Sequence, residues 1–235
     1  MKKLLKGLGI AFAFATCTQT ALAQDATITP DPKRGELLFT QGDVNRGVIP
    51  CFSCHGEGGN SVIATQPSLA GHPAGYIVAQ LNNLDLTPEG TQKHRNNYEG
   101  FTNSMVMMAV APALTPQDRA DIAAYVSGLK LTGPAKSQNA GDLEFVHRGR
   151  EIWRAGIPER GVPACAACHG VSGKGMPEQY PFLAGQHPEY LYGQLRSFAD
   201  GYRNNGGTEN MMGTIANRMS IADMKAVADY AAGLR

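Results

Sequence analysis

The chain has 235 residues, of which 43% are hydrophobic and 17% are charged, and its formal net charge at pH 7 is +1. No segment carries the basic stripe that neutralises phosphates, so the composition excludes a nucleic-acid partner. Beyond the N-terminal segment, no apolar stretch is long enough to span a membrane as a helix.

Residues 1–23 have the features of a secretory signal peptide. Three lysines precede a short apolar run, and Ala21-Leu22-Ala23 forms an A-x-A cleavage site. An uncleaved membrane anchor is the alternative, which the cleavage site disfavours. Cleavage after Ala23 would remove three lysines and leave 18 Lys and Arg against 20 Asp and Glu, a formal net charge of −2. We therefore expect a secreted, slightly acidic mature chain that begins near Gln24.

Three helices are predicted in the first half of the mature chain, residues 24–130. They cover Pro32 to Phe39, Tyr76 to Leu84 and Thr115 to Leu129. The third has the strongest signals, because Thr115 is a suitable N-cap, Pro116 takes the first helical position and Asp118 lies in the first turn. No convincing alternating strand pattern appears, so an all-α fold is expected.

Two copies of the pattern C-x-x-C-H occur, Cys51-Phe-Ser-Cys54-His55 and Cys165-Ala-Ala-Cys168-His169. This pattern is the attachment signature of c-type haem. Two cysteines three positions apart on a tight turn can bond both vinyl groups of one porphyrin, and the next residue then lies under the iron. A zinc site would need two more Cys or His in each half, and a thioredoxin-like redox pair has no use for the histidine. The sequence therefore predicts two covalently bound haem c groups per chain.

The second half of the chain repeats the first. A shift of 114 residues superposes both C-x-x-C-H motifs and the Leu-Ala-Gly triplets at 69–71 and 183–185. Towards the end of each half the shift becomes 105, which places nine extra residues within 87–103, in a polar segment interpreted as a surface loop. Residues 131–142 contain Gly, Pro, Ser and Asn and are predicted to link the first domain to a second one, residues 143–235. Equivalent helices are expected at Leu143 to Trp153, Tyr190 to Phe198 and Ser220 to Leu234.

A low-spin electron carrier needs a second axial ligand opposite each histidine. Methionines cluster before each final predicted helix, at Met105, Met107, Met108, Met211 and Met212. At the shift of 105, Met107 coincides with Met212, and no other pair in this cluster coincides. We therefore predict that Met107 and Met212 ligate the irons opposite His55 and His169. The alternative is that these methionines only fill the core, and we interpret the remaining three in that way.

The repeat also shows which other polar and aromatic residues are matched in both halves and which are not. Four histidines match no histidine in the other half and are interpreted as surface or loop residues. They are His72, His94, His147 and His187. Tyr76 and Tyr190 are equivalent under the repeat, and we interpret both as core-packing residues. Arg46 and Arg160 also recur, and two interpretations stay open: ion pairs with haem propionates, or ordinary exposure to solvent.

The duplicated CxxCHG, the Leu-Ala-Gly-x-x-x-x-Tyr-x-x-x-Gln-Leu stretch and the Met-x6-(Leu/Met)-(Thr/Ser)-x-x-Asp ending resemble the cytochrome c4 family. The resemblance covers essentially the whole mature chain. It implies two class I cytochrome c domains, His/Met ligation of both haems and a periplasmic location, often beside the inner membrane. It also implies that electrons pass from a quinol-oxidising complex or a dehydrogenase to a terminal haem–copper oxidase. Two departures, the loop insertion near Lys93 to Gly100 and Met219 in place of the usual Leu, remove no ligand.

An electron carrier, rather than an enzyme, is the function that this pattern favours. Two axial ligands per haem leave no position for a substrate, and no acid–base pair is evident. The alternative is a dihaem subunit of a flavoprotein dehydrogenase, of the sulfide-oxidising flavocytochrome type, which a copurifying flavin subunit would reveal. A dihaem peroxidase is a third interpretation. It requires one open or exchangeable haem position, which the paired methionines disfavour.

Overall fold

The computed structural model describes residues 28–85, 104–177, 180–205 and 210–235. The predicted signal peptide, the predicted loop insertion and His94 lie outside these ranges. Throughout the described part of the chain the regular structure is helical, and β-pairing is limited to isolated bridges. None of the described helices is long and apolar enough to cross a membrane. The prediction of an all-α fold is confirmed.

The described helices follow the same order in the two halves. In the first half they are α1 (Pro32–Gln41), α2 (Phe52–His55), α3 (Ala74–Asn83), α4 (Ser104–Val110) and α5 (Pro116–Ser127). In the second half they are α6 (Leu143–Ala155), α7 (Ala166–His169), α8 (Pro188–Ala199), α9 (Met211–Ala216) and α10 (Ile221–Gly233). The helices predicted from the sequence are all present, and their ends differ from the predicted ends by two residues or fewer.

The first and last helices of each half cross at close range, and a glycine permits the approach. A Cβ atom on Gly35 in α1 would lie 2.0 Å from the carbonyl oxygen of Asp121 in α5. A Cβ atom on Gly149 in α6 would lie 2.3 Å from the carbonyl oxygen of Ala226 in α10. A side chain at either glycine would push the two helices apart, because the interior is closely packed. The sequence repeat is therefore also a repeat of helix packing.

Thr115 and Ser220 are the N-caps of the final helices, as the sequence predicts, and Asp118 and Asp223 complete each cap from the first turn. The N–H of Thr115 donates to the Asp118 carboxylate over 2.8 Å, and the N–H of Asp118 donates to the Thr115 hydroxyl over 3.1 Å. Ser220 and Asp223 form the same reciprocal pair at the start of α10. Two of the four orphan N–H groups at each helix start are satisfied by these pairs.

Arg160 is exposed to solvent, as one of the two interpretations holds, but both Arg46 and Arg160 also bind an aspartate of the final helix. Arg46 donates to the Asp118 carboxylate over 2.5 Å, and Arg160 donates to the Asp223 carboxylate over 2.8 Å. Neither guanidinium lines the cavity described below, so pairing with haem propionates is not supported. Instead, the two arginines tie the loop ahead of each C-x-x-C-H motif to the final helix of the same domain.

Part of the predicted linker is fixed on the second domain. The buried carboxylate of Asp229 in α10 accepts hydrogen bonds from residues 137–139. The N–H of Ala135 donates to the carbonyl oxygen of Gly185 over 2.8 Å. These contacts hold residues 135–139 along the surface of the second domain, where they limit the freedom of the connection.

Candidate functional site

The two C-x-x-C-H motifs form the single-turn helices α2 and α7. In α2 the N–H of His55 donates to the carbonyl oxygen of Cys51 over 3.0 Å, and the second motif repeats this bond over 2.9 Å. Gly56 and Gly170 end the two turns with φ angles of 77° and 75°, which residues with a side chain rarely adopt. A Cβ atom on Gly56 would also lie 1.9 Å from the carbonyl oxygen of Asn60. The turn geometry therefore requires the glycine that follows the first histidine.

Both motif histidines are buried, and both hold the same tautomer. Nδ1 of His55 lies 2.8 Å from the carbonyl oxygen of Pro67, and Nδ1 of His169 lies 3.4 Å from that of Pro181. Because a carbonyl oxygen only accepts, each Nδ1 carries a proton and each Nε2 keeps its lone pair for a metal. Burial lowers the pKa of both imidazoles, although the proline carbonyls oppose the shift, so both rings are neutral at pH 7.

A cavity of about 590 Å³ lies between the two motifs and extends through both domains. Its lining contains all the predicted site residues: Cys51, Cys54, His55, Met107, Cys165, Cys168, His169 and Met212. Most other lining residues are aliphatic or aromatic, such as Leu81, Ile122 and Leu191. In these surroundings burial raises the pKa of Cys51 and of Cys165 to about 11, so both side chains are neutral thiols at pH 7.

The residues around each half of the cavity fit a covalently bound haem c. Each half contributes two cysteines three positions apart, one buried imidazole with a free Nε2, and methionine sulfur. Thiols form thioether bonds with the vinyl groups of the porphyrin, and imidazole and thioether groups are the axial ligands of low-spin c-type cytochromes. The apolar lining suits the porphyrin ring.

The methionines of the two clusters differ in exposure. Met107 packs partly buried against the core of the first domain and lines the cavity, whereas Met105 is 61% exposed. Met212 packs against the core of the second domain and also lines the cavity. Met211 borders the cavity as well, but it is 55% exposed, and Met108 is half-buried outside the cavity lining. The pair selected by the repeat thus has the most favourable position for a ligand in each domain.

The surroundings of the two motif histidines differ. Trp153 donates its Nε1–H to the carbonyl oxygen of Val171 over 3.1 Å, and its ring centroid lies 6.5 Å from that of His169. Tyr180 packs edge-on against His169 at 5.8 Å. In the first domain the equivalent positions, at the shift of 114, are Phe39 and Gln66. The aromatic surroundings of His169 were not recognised from the sequence, because the repeat comparison stresses what the halves share.

Polar side chains join the two domains across the cavity. Gln186 forms two hydrogen bonds with the backbone of Ser68, each of 3.0 Å, and the groups involved are buried. Arg203 donates to Gln80 of the first domain over 2.9 Å and also to Gln194 of its own domain. Gln80 and Gln194, which are equivalent at the shift of 114, therefore meet at one guanidinium between the domains.

Two of the histidines interpreted as surface or loop residues do lie in loops, but these loops form part of the interface between the domains. His72 is 7% exposed and packs against Tyr76 at 5.5 Å and Phe182 at 5.8 Å. Burial lowers the pKa of His72 to about 4. Nε2 of His187 donates to the carbonyl oxygen of Ser61 in the first domain over 2.9 Å. His147 is exposed, as expected. Their place at the interface arises from contacts between the domains, which no local pattern signals.

A family model described as cytochrome c matches the chain twice, at residues 33–130 and 146–234. Cytochrome c4 from Azotobacter vinelandii is 34% identical over 207 residues, which cover 84% of this chain and 92% of that protein. A protein of Stutzerimonas stutzeri (strain A1501), named thiosulfate dehydrogenase electron acceptor, is 32% identical over 85% of this chain and 86% of its own length. A crystal structure of reduced recombinant cytochrome c4 from Pseudomonas stutzeri is similar, with a TM-score of 0.69 and 30% identity over 88% of this chain and 100% of that chain.

The helical fold, the duplicated motif turns and the family matches define a c-type cytochrome built from two tandem class I cytochrome c domains. Within that class, the chain belongs to the cytochrome c4 family. The fold and the family expected from the sequence are confirmed. Proteins of the cytochrome c family carry haem c on C-x-x-C-H motifs, and this chain has two such motifs.

Proposed function

We propose that the protein is a periplasmic electron carrier with two covalently bound haem c groups. The observation that carries this proposal is the cavity that extends through both domains and is lined by both cysteine pairs, both motif histidines and both selected methionines. Membership of the cytochrome c4 family supports it. The predicted signal peptide supports a periplasmic location.

The proposed attachment sites are Cys51 with Cys54 and Cys165 with Cys168, and the proposed axial ligands are His55 with Met107 and His169 with Met212. A haem held by these residues would supply one-electron chemistry, because its iron alternates between the ferric and ferrous states. The chain determines how that chemistry is used. The carbonyl groups of Pro67 and Pro181 orient the imidazoles, and the apolar lining keeps water away from the ring.

The proposed activity is electron transfer without chemical change of a substrate. With haem bound, His55 and Met107 in one domain and His169 and Met212 in the other would hold the iron and leave no position for a small ligand. The methionines also favour a higher reduction potential than a second histidine would. Such a site suits a carrier that receives electrons from a dehydrogenase or a quinol-oxidising complex and passes them to a terminal haem–copper oxidase beside the inner membrane.

A second candidate function is favoured by one comparison. A relative that is 32% identical over 85% of this chain is named as the electron acceptor of thiosulfate dehydrogenase. The donor to this protein would then be a dehydrogenase of sulfur compounds, in line with the alternative of a dehydrogenase-bound subunit. Rapid reduction of the oxidised protein by purified thiosulfate dehydrogenase and thiosulfate would favour this donor. A copurifying flavin subunit would favour the flavoprotein alternative.

The test of the main proposal is a mass measurement combined with an optical redox titration of the purified protein. We expect a mass increase of two haems that survives denaturation, because thioether bonds do not depend on the fold. The titration should follow two haems at positive potentials. A mass increase of one haem or none would contradict the proposal. Changing Cys165 to Ala should weaken attachment in the second domain and leave the first domain loaded.

A further inference from the structure

One peptide group of the first domain, between Pro67 and Ser68, is held at both ends. Its carbonyl oxygen accepts the Nδ1–H of His55 over 2.8 Å. Its N–H donates over 3.0 Å to Oε1 of Gln186, a residue of the second domain. The same carboxamide donates its Nε2–H to the carbonyl oxygen of Ser68, also over 3.0 Å. Ser68 and Gln186 are 3% and 4% exposed, so water does not compete for these bonds.

A peptide group that donates at one end becomes a better acceptor at the other, because hydrogen bonds in a chain polarise one another. A carbonyl that accepts more strongly from Nδ1–H makes the imidazole more basic at Nε2. A more basic axial imidazole stabilises ferric iron relative to ferrous iron, which lowers the reduction potential. The Gln186 carboxamide therefore acts on His55 through one peptide group, although it belongs to the other domain.

We propose that Gln186 is a positioning residue for His55, through which the second domain sets the reduction potential of the haem in the first. This inference rests on the proposed function, since it requires that His55 ligates a haem. It goes further by assigning a residue outside both motifs, and on the opposite domain, to the control of one haem.

The repeat supplies an internal comparison. At the shift of 114, Gln186 corresponds to His72 and Ser68 corresponds to Phe182. The reciprocal contact exists in part, because the ring of His72 packs edge-on against that of Phe182 at 5.8 Å, while its Nδ1–H donates to the carbonyl oxygen of Leu69 in its own domain over 3.2 Å. An imidazole, however, replaces the carboxamide that bridges the N–H and C=O groups of Ser68. The bond from His169 to the Pro181 carbonyl is correspondingly longer, 3.4 Å against 2.8 Å in the first domain.

The test compares variants of the full-length protein with both haems bound. Gln186→Leu removes both hydrogen bonds to Ser68. We expect the one-electron reduction equilibrium of the first haem to shift about threefold towards the ferrous state. That shift raises its potential by about 28 mV, since a tenfold change corresponds to 59 mV. The Nδ1–H resonance of His55 in the reduced protein should move upfield as its hydrogen bond weakens, and the second haem should keep its potential.

His187→Leu is the matched control. It removes a hydrogen bond of the adjacent residue across the same interface, the one to the Ser61 carbonyl, without touching the Pro67–Ser68 peptide group. The first-haem potential and the His55 resonance should then match the wild type. Equal shifts in the two variants would mean that interface contact in general controls the haem, and the proposal would be wrong. An unchanged first-haem potential in Gln186→Leu would refute it equally.

His72→Gln keeps the proposal testable if Gln186→Leu does not fold. It installs a carboxamide beside the Phe182 backbone and should lower the potential of the second haem while moving the His169 Nδ1–H resonance downfield. An unchanged His169 resonance would contradict the proposal. Failure of the proposed function would look different: the wild-type chain would bind fewer than two haems, or His55 would show no ligation, before any variant is compared.

Discussion

Neighbouring methionines of one short helix differ in what they touch. Met107 in α4 packs against the core of the first domain and lines the cavity, while Met105, two positions earlier, is 61% exposed. A side chain bound to iron opposite a buried histidine has to point into the cavity. The exposure of Met105 is therefore incompatible with that role in this arrangement, and Met107 is the proposed ligand of the first haem.

Met107→Ala should remove sulfur ligation from the first haem. We expect the near-infrared charge-transfer band of the ferric protein to fall to about half its intensity, because the second haem keeps its methionine. Met107→His should instead lower the potential of the first haem, since a second imidazole stabilises ferric iron relative to a thioether. Met105→Ala is the control and should leave the band intact. If Met105→Ala lost the band and Met107→Ala retained it, the choice of ligand would be wrong.

The candidate haem-binding side chains were predictable from the sequence, whereas residues that act through their backbone or through contacts between the domains were not. Cysteines, histidines and methionines at fixed spacings point to haem, and the repeat separates Met107 from its neighbours. Pro67 contributes a carbonyl oxygen, which every residue has, so nothing in its identity indicates that it orients His55. Gln186 lies 118 residues along the chain from Ser68, so their hydrogen bonds cannot be inferred from a local pattern. His72 lies only four residues from Ser68, but its burial becomes evident only when the two domains are docked.

Helix α5 is anchored to the rest of its domain at its N-terminal turn. Asp118 caps the helix through Thr115 and binds Arg34 of α1 and Arg46 of the preceding loop, and its carboxylate is fully buried. Burial alone would raise the pKa of Asp118, but the hydrogen bonds from Arg46, Thr115 and Arg34 lower it to about 2. The cap itself was predictable from the Thr-Pro-x-Asp pattern, whereas both arginine contacts depend on tertiary packing.

Asp118→Asn should destabilise the first domain by about 1.5–3 kcal/mol at neutral pH, the usual range for hydrogen bonds to a charged group. The sign of the pH dependence follows from the lowered pKa. The carboxylate contributes its full stability above its ordinary pKa of 3.8 and loses it as the pH falls towards about 2. Thermal unfolding midpoints of the two holoproteins should therefore converge on acidification. Glu151→Gln, a change at a side chain that is 68% exposed, is the control. A gap that stayed constant down to pH 2 would contradict this account.

At the scale of the whole molecule, the two domains share one cavity but give it different linings. The shared part includes the two motif turns and the equivalent prolines Pro67 and Pro181, whose carbonyl groups bind the motif histidines. The differences lie near His169, where Trp153 and Tyr180 contact the imidazole. The equivalent positions of the first domain hold Phe39 and Gln66. Haem potentials respond to burial and to hydrogen bonds around the ligands as well as to ligand identity. Two sites with the same proposed ligands are therefore expected to differ in potential.

The continuous cavity and the buried hydrogen bonds between the domains should allow the two haems to exchange an electron faster than a partner delivers the next one. We expect two resolved one-electron potentials, both positive, with a gap of about 59 mV, which corresponds to a tenfold bias in one direction. Stopped-flow reduction with less than one equivalent of electrons should show a single electron redistributing between the haems. Gln186→Leu should raise the potential of the first haem alone, by about 28 mV, and so change the gap between the two potentials by that amount. The redistribution of the electron should stay fast. Two haems that are reduced independently, without exchange during turnover, would leave the protein a store for two electrons and would refute the relay.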